Sequence, residues 1–136
     1  MPQNGIYYPG IQALSKSFTY NKNLKVLNLN DNTIGPKGSK ALADVMCDLK
    51  NLKDLNFGDC LIKTNGANLL ALGLKNCHDL EKLNLEHNEI KLDGGKSLAL
   101  AMSNKTKLKM FCLNGNQFGS SGVKHIRKLL TEIGNV

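Results

Sequence analysis

Three features of the chain carry side chains that could do chemistry. Cys77-His78 sets a thiol beside an imidazole, the pair that a nucleophilic thiolate requires. Gly94-Gly95-Lys96-Ser97 looks like the end of a phosphate loop, and Cys47, Cys60, Cys77 and Cys112 are candidate metal or disulfide ligands. Each falls short on spacing. Neighbours one apart at a helix end point in different directions. The Gly-Gly-Lys-Ser stretch lacks the glycine four residues further upstream that a phosphate-cradling loop needs. The cysteines form no CxxC pair and have no histidine at finger spacing, so neither a zinc site nor a disulfide framework is indicated and reduced thiols are expected. The expectation is therefore a chain with no catalytic residues, metal or cofactor of its own.

What organises the chain is a period. Leu24-Lys25-Val26-Leu27-Asn28-Leu29 with Asn32 and Ile34 recurs from Leu52, from Leu80 and from Leu108, a step of 28 residues each time. Gly10, Gly38, Gly66, Gly94 and Gly122 keep the same step. Two residue classes locked to one period make LxxLxLxx(N/C)x(L/I) a leucine-rich repeat, and the fold class expected is an α/β solenoid of the ribonuclease-inhibitor type. About four parallel strands should line a concave face, each followed by a helix on the convex face. The division is 1–23 as a truncated repeat, then 24–51, 52–79, 80–107 and 108–135 as full repeats of one domain.

Within a repeat, period-two alternation sends Leu27 and Leu29 inward and leaves Val26, Asn28 and Asn30 on the concave surface. Asn32, Asn88 and Asn116 are expected to turn inward and bond the backbone of neighbouring loops, with Cys60 in the same slot. Each glycine is expected to introduce a helix and to let it approach the preceding strand. Gly38, Ala41, Leu42, Val45, Met46 and Leu49 then fall at helical spacing, with Pro36 suited to the first turn.

The polar columns on the concave side are the candidate binding surface. One reads Asn28, Asn56, Asn84 and Cys112, the next Asn30, Gly58, Glu86 and Asn114, and the loop position beyond reads Asp31, Asp59, His87 and Gly115. Asn and Asp suit tight turns, which is one account of them. The other is a docking rim, acidic and amide-rich, for a protein with a basic patch, formed by Asn28, Asn30, Asp31, Asn56, Asp59, Asn84, Glu86 and His87. Lysines such as Lys40, Lys50, Lys53, Lys75, Lys105, Lys107 and Lys109 gather on the helices and on the returns before strands, so a net charge of +7 conceals the acidic rim.

Composition narrows the partner. Seventeen of the 18 basic residues are Lys and Arg127 is the one Arg, which disfavours sequence-specific reading of nucleic acid. Apolar runs such as Leu69–Leu72 are far too short for a membrane span, and Met1 to Pro9 has no signal-peptide pattern. At the N-terminal end nothing upstream covers Ile6, Ile11, Leu14 or Phe18, so a fragment of a longer solenoid, or self-association through that face, is expected. The last helix sets Lys124, His125, Arg127 and Lys128 around Ile126, Leu129, Leu130 and Ile133, with His125 a boundary residue.

Particular strings go beyond the generic repeat. Met1-Pro2-Gln3-Asn4-Gly5-Ile6, Leu27-Asn28-Leu29-Asn30-Asp31-Asn32-Thr33, Asn56-Phe57-Gly58-Asp59-Cys60-Leu61 and Leu113-Asn114-Gly115-Asn116 resemble the C-terminal half of the leucine-rich-repeat domain of the Ran GTPase-activating proteins, over nearly the whole chain. The resemblance implies a cytoplasmic protein, also found at the nuclear envelope, that serves nucleocytoplasmic transport by promoting GTP hydrolysis on the small GTPase Ran. It implies action without an arginine finger, with Asp31, Asp59 and Glu86 meeting the GTPase. It also implies that the repeats reaching the nucleotide, and an acidic tail, lie outside this sequence. A non-catalytic leucine-rich-repeat interaction scaffold is the alternative.

Overall fold

A computed structural model describes residues 2–132; Met1, Ile133 and the end of the last repeat lie outside the described residues. Helix α1 (Tyr8–Phe18) precedes four strand–helix units: β1 (Val26–Asn28) and α2 (Gly35–Val45), β2 (Asp54–Asn56) and α3 (Lys63–Leu74), β3 (Lys82–Asn84) and α4 (Leu92–Met102), β4 (Met110–Cys112) and α5 (Gly119–Glu132). The strands form one parallel sheet in the order β1-β2-β3-β4. Its register steps by one repeat throughout, with Leu27 beside Leu55, Leu83 and Phe111.

The apolar positions of the period become columns that stack through the molecule. Leu27, Leu55 and Leu83 form one, Leu29, Phe57 and Leu85 a second, Ile34, Ile62 and Ile90 a third, and Leu42, Leu70 and Leu98 the one supplied by the helices; all are buried. Strands β1, β2 and β3 each hide one side chain between exposed or half-buried neighbours, and β4 hides none fully. Stability therefore comes from stacking repeats rather than from any strand alone, as in a one-dimensional array.

The glycines act differently from the sequence expectation. Each helix already runs two or three residues before its glycine, so the residue sits inside the first turn. A Cβ on Gly38 would lie 2.8 Å from Ile34 Cγ2 and 3.3 Å from Ile11 Cγ2. On Gly94 it would lie 2.7 Å from Ile90 Cγ2 and 3.0 Å from Ala67 Cβ. The approach that needs glycine is to the buried isoleucine of the descending turn and to the previous helix, not to the strand. Helix α2 also stops early, and Met46–Asp48 tightens into a 3₁₀ turn that delivers Leu49 to the core.

The two ends also differ from expectation. Ile11, expected to be uncovered, is fully buried, while Ile6, Leu14 and Phe18 are half-buried. Residues 3–7 extend the turns across this end. Gln3 N–H donates to Asn30 O, Thr33 N–H donates to Ile6 O, and Tyr7 pairs with Thr33 in a parallel bridge. The more open face is at the other end, where Phe111, Leu113, Phe118, Leu129 and Leu130 are only half-buried.

The inward asparagines lock the turns together. Asn88 Oδ1 accepts from Cys60 N–H (3.0 Å) and Ile62 N–H (3.1 Å), while its Nδ2 donates to Phe57 O (2.8 Å) and Glu86 O (2.9 Å). Asn116 Oδ1 repeats this toward Asn88 and Ile90, and Asn32 Oδ1 toward Asn4 and Ile6. Truncating Asn88 would strand buried donors and acceptors on two repeats. Asn88→Ala should lower unfolding free energy by about 2–4 kcal/mol in urea titration, several times the effect of Asn114→Ala on the exposed rim.

Candidate functional site

The rim is built at the C-terminal ends of the strands, where the chain leaves the sheet and turns toward the helices. Asn28, Asn56 and Asn84 stand side by side in register, all half-buried. Each spends its side-chain oxygen locally, accepting from the N–H two residues on: Asn30 (3.0 Å), Gly58 (3.0 Å) and Glu86 (2.9 Å). Asn84 Nδ2 also donates to Glu86 Oε1 at 3.1 Å, and the Cys112 thiol reaches Glu86 Oε2 at 3.7 Å. The amides thus shape the exit from the sheet as well as lining it, which joins the two accounts of these residues.

Asp31, Asp59 and His87 follow in the next column, all exposed. Their φ angles are 59°, 51° and 52°, and Gly115 continues the column at 69°. Left-handed backbone explains the residue types, because Asp, Asn and Gly tolerate it best. Backbone bonds from Asp31 N–H to Gly58 O, Asp59 N–H to Glu86 O and His87 N–H to Asn114 O, each 2.9 Å, fix the spacing of the column. Asn30 and Glu86 are half-buried and close over Gly58 between them, since a Cβ there would lie 2.7 Å from Asn30 Oδ1 and 3.4 Å from Glu86 Cγ. The structure brings all eight predicted residues to one continuous edge.

Beside the rim runs a surface that sequence reasoning covered only at Val26. Its column is Val26, Asp54, Lys82 and Met110, with Val26 60% and Met110 41% exposed and Lys82 Nζ 3.8 Å from Asp54 Oδ2. One residue earlier, Glu81 sits between Lys53 (3.3 Å) and Lys109 (2.6 Å), whose ammonium groups hold its carboxyl below the usual range. These pairs were legible as i and i+28 charges. The concave surface is therefore mixed in charge toward the strand starts and acidic toward the strand ends.

The cysteine and histidine candidates separate in space. Cys77 is buried while His78 is exposed, and burial pushes the Cys77 thiol up to about 11. Cys60 is likewise pushed up to about 11 by burial, against nearby backbone N–H groups of Asn32 and Asp31 that pull it down. Its thiol takes over the donor half of the asparagine role, reaching Leu29 O at 3.1 Å and Gly58 O at 3.2 Å. Lys105, counted with the surface lysines, is 2% exposed and donates to Lys75 O at 3.2 Å; burial lowers its pKa. Arg127 and His125 are exposed on α5, and Arg127 borders a cavity of about 240 Å³ with Asn114 and Gly115. Among the described residues no three His, Cys, Asp or Glu side chains converge on a metal position, and no helix is long and apolar enough to cross a membrane.

A parallel sheet with one helix per strand, and an inward asparagine at three of the four turns with Cys60 at the other, defines a leucine-rich-repeat fold. The sequence pattern of the family described as Leucine Rich repeat matches residues 20–43 and 76–99. The two segments sit at the same phase of the period, each covering the end of one repeat through the first turns of the next helix. No curated protein matches the chain.

Exposure and thiol pKa together set an order of reactivity. Mass spectrometry after brief iodoacetamide treatment of the folded protein should find Cys47 modified first, then Cys112, with Cys60 and Cys77 protected until denaturant is added. The sign of the linkage is also fixed. A thiol raised from 9.0 to about 11 stabilises the fold fully below pH 9 and loses that contribution as pH rises through 11. Cys60→Ala should accordingly show a shallower fall in urea midpoint over that interval than the unsubstituted protein.

Proposed function

We propose that this leucine-rich-repeat domain docks a small GTPase of the Ran type through the strand-to-helix rim, with Asp31, Asp59 and Glu86 meeting a basic patch on the partner. Leucine-rich-repeat domains are protein-interaction scaffolds, and the column of left-handed turns that carries Asp31, Asp59 and His87 at constant spacing is the observation that supports this edge. Rigid backbone registration matters here because preorganised charges attract a partner without an ordering cost at binding. The resemblance of the quoted strings to the Ran GTPase-activating proteins is what points this reading to Ran as the partner and to a cytoplasmic setting, including the nuclear envelope. In this reading the domain regulates its partner and contributes no catalytic group. Ile11 is buried where it faces Gly38 of α2, and stacking of copies through the N-terminal face is not part of this reading.

The test is retention of Ran loaded with GTP or GDP on immobilised protein. Preferential retention of the GTP form is expected, weakened at least about tenfold by the triple variant Asp31→Lys, Asp59→Lys, Glu86→Lys. Stimulation of GTP hydrolysis should be small, because the resemblance places the nucleotide-reaching repeats outside this sequence. Equal retention of both forms, or an unchanged triple variant, would remove the GTPase reading and leave an interaction scaffold for another protein.

A further inference from the structure

Beyond the rim, between the first turns of α1 and α2, lies an open trough of about 580 Å³ walled by Tyr7, Tyr8, Pro9, Ile34, Pro36 and Lys37, with an almost wholly apolar lining. Phe18, Phe57, Phe111 and Phe118 are buried or half-buried and Tyr20 is exposed elsewhere, whereas Tyr7 is 63% and Tyr8 37% exposed at the trough. The charged residue in its wall is a cation. Lys37 Nζ stands 5.4 Å from the centre of the Tyr8 ring, and neither α1 nor α2 has an acidic residue in its first turn or a side-chain cap at its start. Lys40, one turn further along α2, is already engaged by Asp44 at 2.6 Å, which leaves Lys37 as the cation at the trough mouth.

We propose that this trough binds an extended, proline-containing segment of a partner protein that carries a carboxylate next to its prolines. A lining with so little polar surface disfavours any ligand whose backbone N–H groups would be buried against it unpaired. Proline has no N–H, and the polyproline II backbone remains solvated on its outer side, so its rings can lie on tyrosine faces at small ordering cost. Lys37 and the positive ends of two helices complement the carboxylate. None of the walls is a rim residue, so this surface stands or falls separately from GTPase docking.

Fluorescence anisotropy of a fluorescein-labelled peptide with a proline run followed by glutamates, titrated with the full chain, tests the assignment. Saturable binding is expected, weakened about tenfold by Tyr7→Ala or Tyr8→Ala in variants whose circular dichroism is unchanged. Lys37→Glu should abolish the preference for the glutamate peptide over its lysine counterpart, and Asp31→Lys should have no effect. Absence of binding, equal binding after the prolines are replaced by glycine, or unchanged binding by both tyrosine variants would overturn the proposal. So would tighter binding of an amphipathic helical peptide of equal charge, or a sedimenting dimer that Tyr7→Ala dissolves, since each gives the trough to a different occupant.

Discussion

The constraint on which everything else rests is the fate of backbone groups where the chain leaves the sheet. Past strands of three residues only some backbone groups find a backbone partner in the next repeat, as Asp31 N–H does at Gly58 O, and the others would be buried in the turns with none. Asn32, Asn88 and Asn116 resolve this by accepting from N–H groups of the preceding repeat and donating to carbonyls of their own, with Asn88 and Asn116 also donating back to the preceding repeat. Each amide crosses between repeats 26 to 31 residues apart in sequence, so the period is enforced by hydrogen-bond geometry as well as by apolar packing. An insertion of one residue between Cys60 and Asn88 would move both sets of bonds out of reach.

Cys60 tests how strict that constraint is. A thiol can donate to Leu29 O and Gly58 O, but it is a weaker acceptor than an amide oxygen for the turn before it. That weakness falls at the turn that carries Asp31, part of the proposed docking edge. The rim thus stands on one substituted rung and two intact ones.

Most of the solenoid was legible because its signal is periodic and long. The stacked leucines and isoleucines, the inward asparagines and the alignment of the polar columns all follow from the 28-residue step. What was not legible depended on three-dimensional neighbours that the period alone does not rank. The Lys105 slot is held by Leu49 and Cys77 in preceding repeats, and only burial shows that its stem packs inward while Nζ finds Lys75 O. The glycines could be placed but not interpreted, because the atoms that crowd Gly94 belong to Ile90 and to the previous helix. At the N-terminal end, Ile11 was expected to be uncovered, yet it is buried where it faces Gly38 of the next helix, a neighbour that its place in the period does not announce.

The polarity of the fold bears on how strongly an acidic rim can attract. Because the strands are parallel, the helices that follow them all begin on the rim side, and their N-termini place partial positive charge close behind the acidic column. Lys63 and Lys91 stand at the starts of α3 and α4, whereas the helix after Asp31 begins with Gly35 and Pro36, so the cations along this edge are unevenly placed. The same difference separates the two surfaces of that region: Asp31 points an acid outward, while one turn further along the chain the trough offers tyrosines and Lys37. Two ligands of opposite charge can therefore occupy neighbouring parts of one edge without sharing a residue.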